Sequence, residues 1–459
     1  MCVDSIMGTT ILTTGRFLPV STKEIALNTA MIAQLDVVPT VQDRRDRMDR
    51  FSMPFGRFFL CMVFGLQIVG RIANAQTVGS HSKDGQLISM PTPAQVSQAI
   101  ALSATYMERA CGPDGKFVYK VKLGSDHESP TYDIIRHEGA IYALAMLNHS
   151  HQDPQAVAAM VRAAAFLRQN YIGPGVQPGQ EVVWSKPLTN GDFSSDDYAE
   201  LGGTGLGLVA LSAVHQARPK SQTIKQLQAL GRFARFLQRD DGSFIHKYSA
   251  KNGPVSKWNS LYYPGEAALG FIALYEADHS GVWLIAAGKA LSYLAKSRAG
   301  LSTVPADHWA LIATAKLLPY CERTPCGASR EELVQHAIQI CNSILHEQIR
   351  GSRVVGLDGA FDPDGRTAPA ATRIEGLLAA LEFLPKGELR SNIEAEVGRG
   401  IAFLLRAQIT FGPEAGGVLG TIIPGHRSSS EVRIDFVQHA LCAWLRYQRF
   451  IENSAEARD

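Results

Sequence analysis

From residue 93 almost to the end of the chain, apolar residues recur every three or four positions, as in AVAAMVRAAAFLRQNY and LQALGRFARFLQR. That is the period of a helix with one apolar face, and long alternating β-branched runs are few. Two kinds of helical segment alternate. Segments near 95–111, 154–171, 222–239, 284–297, 330–348 and 392–408 carry Arg, Lys and Gln on one face. The other six read EGAIYALAML, ELGGTGLGLVAL, EAALGFIALYEA, DHWALIATAKLL, EGLLAALEFL and DFVQHALCAWL; they are rich in small residues and nearly free of charge after the first turn. A helix apolar all round has to be buried, and amphipathic helices can cover it. The pattern predicts an all-α fold: an (α/α)6 toroid of six helical hairpins over residues 93–452, with six inner and six outer helices.

Each of the inner segments begins on an acid. The six are Glu138, Glu200, Glu266, Asp307, Glu375 and Asp435, spaced by 62, 66, 41, 68 and 60 residues. With helix direction alternating, all six inner N-termini open on one face, so the acids are expected to ring one cavity. Each also gains as a negative charge near a helix N-terminus. The loops are rich in Gly, Pro, Asp and Ser, and a turn recurs after the outer segments: Asp114-Gly115-Lys116-Phe117, Asp241-Gly242-Ser243-Phe244, Asp358-Gly359-Ala360-Phe361 and, less closely, Gly416-Gly417-Val418-Leu419. Glycine supplies the positive φ such turns need, and the aromatic two places on can plug the loop against the helix end.

These Asp-Gly-x-Phe turns resemble those of α/α-toroid families, both the squalene-cyclase and prenyltransferase type and the (α/α)6 glycosidase, lyase and epimerase types. The resemblance is architectural and covers most of residues 93–450. The Asp-rich acid motif of terpene cyclases is missing, so an isoprenoid cyclase is the weakest implication. No single family is assigned, and no family's catalytic residues carry over by match.

Composition narrows the class. An apolar fraction of 46% with 19% charged residues is that of a globular chain. The formal net charge of +2 gives no argument for a nucleic-acid partner. Arg57 precedes the apolar run Phe58–Gly70, and Ala73-Asn74-Ala75 follows as a cleavage pattern before Gln76; this is the order of a secretory signal peptide, and thirteen residues are too few for a comfortable membrane span. The segment is expected to be a signal peptide over 53–75, or else an N-terminal anchor, behind an unstructured or mis-annotated extension over 1–52. A linker over 76–92 and a tail over 453–459 flank the toroid. Both readings put the folded part outside the cytoplasm, periplasmic or secreted, with no stable membrane insertion once the peptide is cleaved. Cys321 and Cys326 flank a short loop and are candidates to pair; five cysteines after Gln76 are too few and odd in number for a disulfide framework.

The candidate site residues cluster at the acids. Tyr132, Arg136 and His137 precede Glu138 closely enough to form a proton-transfer and anion-binding group. Tyr263 stands before Glu266 as a sugar platform, and Gly202-Gly203 after Glu200 could leave room for a ligand. Asp307 is followed by His308 and Trp309, and Arg373 and Arg433 lie two places before Glu375 and Asp435. Acid-lined clefts with aromatic walls suit glycosidic cleavage by a carboxylate pair. The leading expectation is a glycoside hydrolase acting on an oligosaccharide or polysaccharide, with Glu138, Glu266, Asp307 and Asp435 as the catalytic pool. The other residues, including Glu200 and Glu375, would bind substrate. The first alternative is a polysaccharide lyase or uronate epimerase, with Tyr263 or His137 moving the proton and an Arg neutralising a carboxylate. The second is a non-catalytic glycan-binding or scaffold protein. No cofactor and no metal are expected: EF-hand, zincin, P-loop and G-x-S-x-G patterns are all missing.

Overall fold

The computed structural model describes residues 90–125 and 131–456. The expected extension and signal peptide, most of the 76–92 linker and the last three residues of the tail lie outside the described residues. Among the described residues there are twelve α-helices. The outer six are α1 (Pro93–Ala110), α3 (Pro154–Asn170), α5 (Ile224–Leu237), α7 (Gly281–Arg298), α9 (Arg330–Glu347) and α11 (Glu388–Ala407). The inner six are α2 (Ile134–His151), α4 (Leu201–Ala217), α6 (Tyr263–Asp278), α8 (His308–Cys321), α10 (Thr367–Ala380) and α12 (Ile434–Glu456). Each inner helix packs on the next, and α12 packs on α2, which closes the ring. The fold is an all-α (α/α)6 toroid. α12 runs to Glu456, past the boundary expected at residue 452. None of the described helices is long and apolar enough to cross a membrane.

Local chemistry sets the outer helix starts. Thr92 closes a capping box with Gln95 ahead of Pro93, and Asp153, Thr223 and Ser329 accept first-turn N–H groups of α3, α5 and α9. The inner ring is tight because glycine lets helices touch. A Cβ on Gly205 of α4 would lie 2.7 Å from the Ala267 nitrogen of α6, and one on Gly265 of α6 would lie 2.7 Å from the Ala310 nitrogen of α8.

The recurring turns join neighbouring outer helices. Gly115, Gly242, Gly359 and Gly416 all have positive φ, and a Cβ on each would fall 2.0–2.3 Å from a carbonyl oxygen of another outer helix, at Arg162, Lys289, Arg399 and Leu102. Phe117, Phe244, Phe361 and Val418 are buried two residues on. The fourth turn is therefore one residue earlier than its sequence suggested, with Gly416 in the second position. A side-chain amide reinforces three of the joints: Gln238 donates to Ala286 O, Gln348 to Glu396 O and Gln408 to Ala99 O, at 2.8–3.0 Å.

Among the described residues, seven short strands lie between the outer and inner helices. β1 (Lys120–Lys122) pairs antiparallel with β7 (Glu431–Arg433) and so ties the first hairpin to the last. β2 (Ile172–Pro174) pairs with β3 (Glu181–Val183), and β4 (Tyr198–Glu200) with β5 (Lys247–Ser249), which also pairs with β6 (Gly253–Pro254). All seven sit on the face where the inner helices begin.

Candidate functional site

The six acids do not share one register. Glu200 and Asp307 are N-caps, Asp435 is the second residue of α12, Glu266 the fourth of α6, Glu138 the fifth of α2 and Glu375 the ninth of α10. The reason is that other groups start these helices: Asp133 caps α2 through Ile135 N, and α10 begins at Thr367, whose hydroxyl donates to Leu419 O. All but Glu200 are buried, and they divide into three groups with different partners.

The first group lies on α2, α4 and α6. Glu138 is fully buried and neither carboxyl oxygen has a hydrogen-bond partner; Glu266 is 4% exposed and its Oε2 has none. Burial pushes both carboxyls well above the usual range, and Glu266 adds to the push on Glu138. The nearby charges of Asp307, Asp133 and Glu200 act on Glu266 in the same sense. Two α4 glycines make the space: a Cβ on Gly202 would lie 2.3 Å from Glu266 Oε2, and one on Gly207 would lie 3.0 Å from Glu138 Oε1. The room expected for a ligand at Gly202-Gly203 is thus taken by Glu266 and Tyr263 on one side, while Gly203 faces Val183 and Ile135. At the rim, Glu200 lies near Tyr263 and 3.8 Å from Lys247 Nζ. That ammonium sits 3.3 Å over the Tyr198 ring and 5.3 Å from the Trp258 ring, which in turn packs on Tyr263. Tyr263 is core-buried and Tyr262 half-buried against His308.

The second group is on α8, α10 and α12. His439 Nδ1 lies 2.7 Å from Glu375 Oε1. His308 faces His439 with ring centres 5.6 Å apart, and both its ring nitrogens are buried without a partner. Burial, then the His439 and Arg charges, hold His308 well below the usual imidazole range, so it is a neutral imidazole. Trp309 is buried between Tyr142, His308 and His439.

The third group is an ion-pair network at the β1–β7 seam. Asp435 pairs with Arg433 at 2.9 Å and with Arg136 at 3.2 Å; Arg136 also reaches Asp133 at 3.1 Å and donates to the Tyr119 hydroxyl. Asp435 is thus matched by two guanidinium groups, which hold its carboxylate at the seam. Asp307 is committed in the same way: it accepts from Ala310 N at 3.0 Å and pairs with buried Arg298 at 2.9 Å.

Two further expectations change. His137 has both ring nitrogens occupied, Nδ1 by the Tyr132 hydroxyl at 2.7 Å and Nε2 by Ala163 O at 2.9 Å, and burial pushes it down to about 4. Tyr132 and His137 therefore tie the first hairpin to α3 and are not placed to move a substrate proton. Arg373 pairs with Glu347 at 2.7 Å, not with Glu375. Residues that sequence reasoning passed over include His439, Asp133, Lys247 and Trp258. His439 stands four residues after Asp435 on one helix, a spacing that could have flagged it. Among the described residues, no group of three or more His, Cys, Asp or Glu could hold a metal ion.

The twelve helices and their ring closure define the fold class, an (α/α)6 toroid. No family model and no curated protein sequence matches the chain. Solved structures do. The cellobiose 2-epimerase from Bacillus thermoamylovorans aligns with a TM-score of 0.59 at 11% identity, covering 78% of this chain and 99% of that one. A family 88 glycosyl hydrolase from Bacteroides vulgatus aligns at 0.51 and 12% identity, covering 78% and 100%. An inactive variant of a GH76 α-1,6-mannanase of Salegentibacter, in complex with α-1,6-mannotriose, aligns at 0.52 and 11% identity, covering 78% and 99%. At these identities the likeness is one of fold.

Proposed function

We propose that the chain is a carbohydrate-active enzyme that works outside the cytoplasm and hydrolyses a glycosidic bond where the inner helices begin. The observation that carries this reading is the pair of buried, unpartnered carboxyls of Glu138 and Glu266 beside Asp133 and Glu200. A carboxyl held protonated near neutral pH is a proton donor to a leaving oxygen. Glu266 takes that role, since it retains slight exposure and shares the space beside Gly202 with the Tyr263 ring, on which Trp258 packs; sugar C–H faces pack against such rings. Asp133, half-exposed and ion-paired with Arg136, is the carboxylate that activates water or attacks. The structural neighbours named as epimerase, glycosyl hydrolase and mannanase support a sugar substrate in kind. The Cys321–Cys326 disulfide supports an oxidising compartment, as does the Arg57–apolar–Ala-x-Ala order.

A second reading has its own observation. Neutral, unpartnered His308 faces His439, which Glu375 orients; a base and an oriented partner are what epimerisation by proton transfer needs. One experiment separates the two. The protein is incubated with a panel of neutral and acidic oligosaccharides in H2(18)O and, separately, in D2O, and products are read by mass spectrometry. Cleavage with one 18O in the new reducing end, lost in E266Q, supports hydrolysis. Deuterium on a sugar carbon without cleavage, lost in H439Q, replaces it with the second reading. Turnover in neither leaves a glycan-binding protein.

A further inference from the structure

The ring has another opening, where the inner helices end. The connectors there are short, with only Gln152–Asp153 between α2 and α3 and His279–Ser280 between α6 and α7. They leave a cavity of about 680 Å³, within the range of small-molecule sites. Every inner helix contributes an apolar wall residue: Met146, Val209, Ile272, Ile312, Leu378 and Leu445. Among the described helices α12 is the longest, and its last turns carry Phe450 and Asn453 along one side of the cavity.

The polar lining is biased. Four basic side chains, Lys316, Arg390, Arg446 and Arg449, stand against two acids, Glu276 and Glu382. Lys316 pairs with Glu276 at 2.8 Å and Arg446 with Glu382 at 3.2 Å, while Arg390 pairs with Glu394 and donates to Leu381 O and Leu384 O. Among the described residues Arg449 has no ion pair, and it lies three residues after Arg446 on the same helix face. Donors inside are also left over: Ser212 Oγ and Arg446 Nε are buried without a partner, and Ser212 is 1% exposed. A buried unpaired donor is costly unless something accepts from it.

We propose that this cavity binds an anionic amphiphile: a single apolar chain along the Leu, Ile and Met walls, with a carboxylate head on Arg446 and Arg449. The site is separate from the acid cluster and does not depend on the reaction assigned there. It also explains why a helix ring built of small residues opens, at its far end, onto larger aliphatic ones.

The test uses the purified full chain and isothermal titration below the micellar range. The probes are dodecanoate, dodecyl maltoside and dodecyltrimethylammonium. Dodecanoate is expected to bind saturably at one site, at least about ten-fold more tightly than the cationic probe, since its head can accept charge-assisted hydrogen bonds from the guanidinium groups. R449E, an exposed position, should weaken dodecanoate about ten-fold or more with the circular dichroism unchanged. A213F and A273F, which fill the cavity from α4 and α6, should remove binding; either alone suffices if the other misfolds. E266Q should bind as the parent does. Absence of saturable dodecanoate binding overturns the proposal. So does equal affinity for the cationic probe, or binding that survives both R449E and a folded cavity-filling variant.

Discussion

Replacing Glu266 by glutamine separates a buried acid from an ordinary one. The side chain sits in the space left by Gly202, with Oε2 unpartnered, and glutamine fills the same volume without a charge. Burial holds the native carboxyl well above 4.5, whereas the unfolded chain ionises near that value. Folding therefore takes up a proton, and the stabilisation present below pH 4.5 is lost as pH rises toward the raised native value. Linkage sets the slope at about 1.4 kcal/mol per pH unit for one fully protonated site, so between pH 5.5 and 7.5 the parent loses up to about 2.7 kcal/mol that E266Q does not. Urea unfolding of both proteins at the two pH values measures this directly. In the same variant, hydrolysis should fall by about 10²–10⁴-fold, the usual contribution of a positioned general acid. Identical pH slopes for parent and variant would refute the reasoning. So would an E266Q less stable than the parent at pH 7.5, because Glu266 would then be an ionised and partnered carboxylate.

Three other outcomes follow from the frame. Gly242→Ala should destabilise by at least about 1–2 kcal/mol, since φ there is +93° and the new Cβ would meet Lys289 O at 2.2 Å; calorimetry at matched pH would show no loss if the outer joint tolerates a side chain. Removing the Cys321–Cys326 bridge by C321S/C326S should cost about 2 kcal/mol, the closure entropy of so short a loop, and unfolding in reducing buffer should then coincide with that of the variant. Burial and the neighbouring Asp153 raise Glu108 to about 7, so its contribution to stability is present below about pH 4.5 and is lost as pH rises through 7. Asp153→Asn keeps a helix cap but removes the like charge, and carbon-detected carboxyl titration should show the Glu108 midpoint fall; an unmoved midpoint would assign the shift to burial alone.

Much of the architecture was legible because hydrophobic period and small-residue content are properties of each helix alone. The outer segments at 154–171 and 330–348 match α3 and α9 almost end to end, since Asp153 and Ser329 cap them locally. Inner helix starts were less legible. Glu375 looks like a cap when aligned on its acid, yet α10 begins two turns earlier, where Thr367 finds its partner at Leu419 in the loop of the next hairpin. The same limit hides the site. Whether Asp435 is an acid catalyst or an anchor depends on Arg136, three hundred residues away in the chain, and no local pattern reports that pairing. His137, set in a promising cluster, is fully spent on Tyr132 and Ala163, while His439 acquires meaning only beside Glu375.

The seam between the last hairpin and the first has a consequence for biosynthesis. Val121 pairs with Val432, Gln408 reaches Ala99, and Gly416 rests on Leu102, so the flank of α1 and α2 is completed only by the final fifth of the chain. During synthesis that flank stays uncovered until α12 emerges, and contacts so distant in sequence form slowly. A ribosome-bound chain of this kind has no finished state before its last hairpin is made. A truncation before residue 400 leaves not a smaller ring but an open arc with two sticky edges, and such arcs should be found with chaperones or in aggregates rather than as folded fragments.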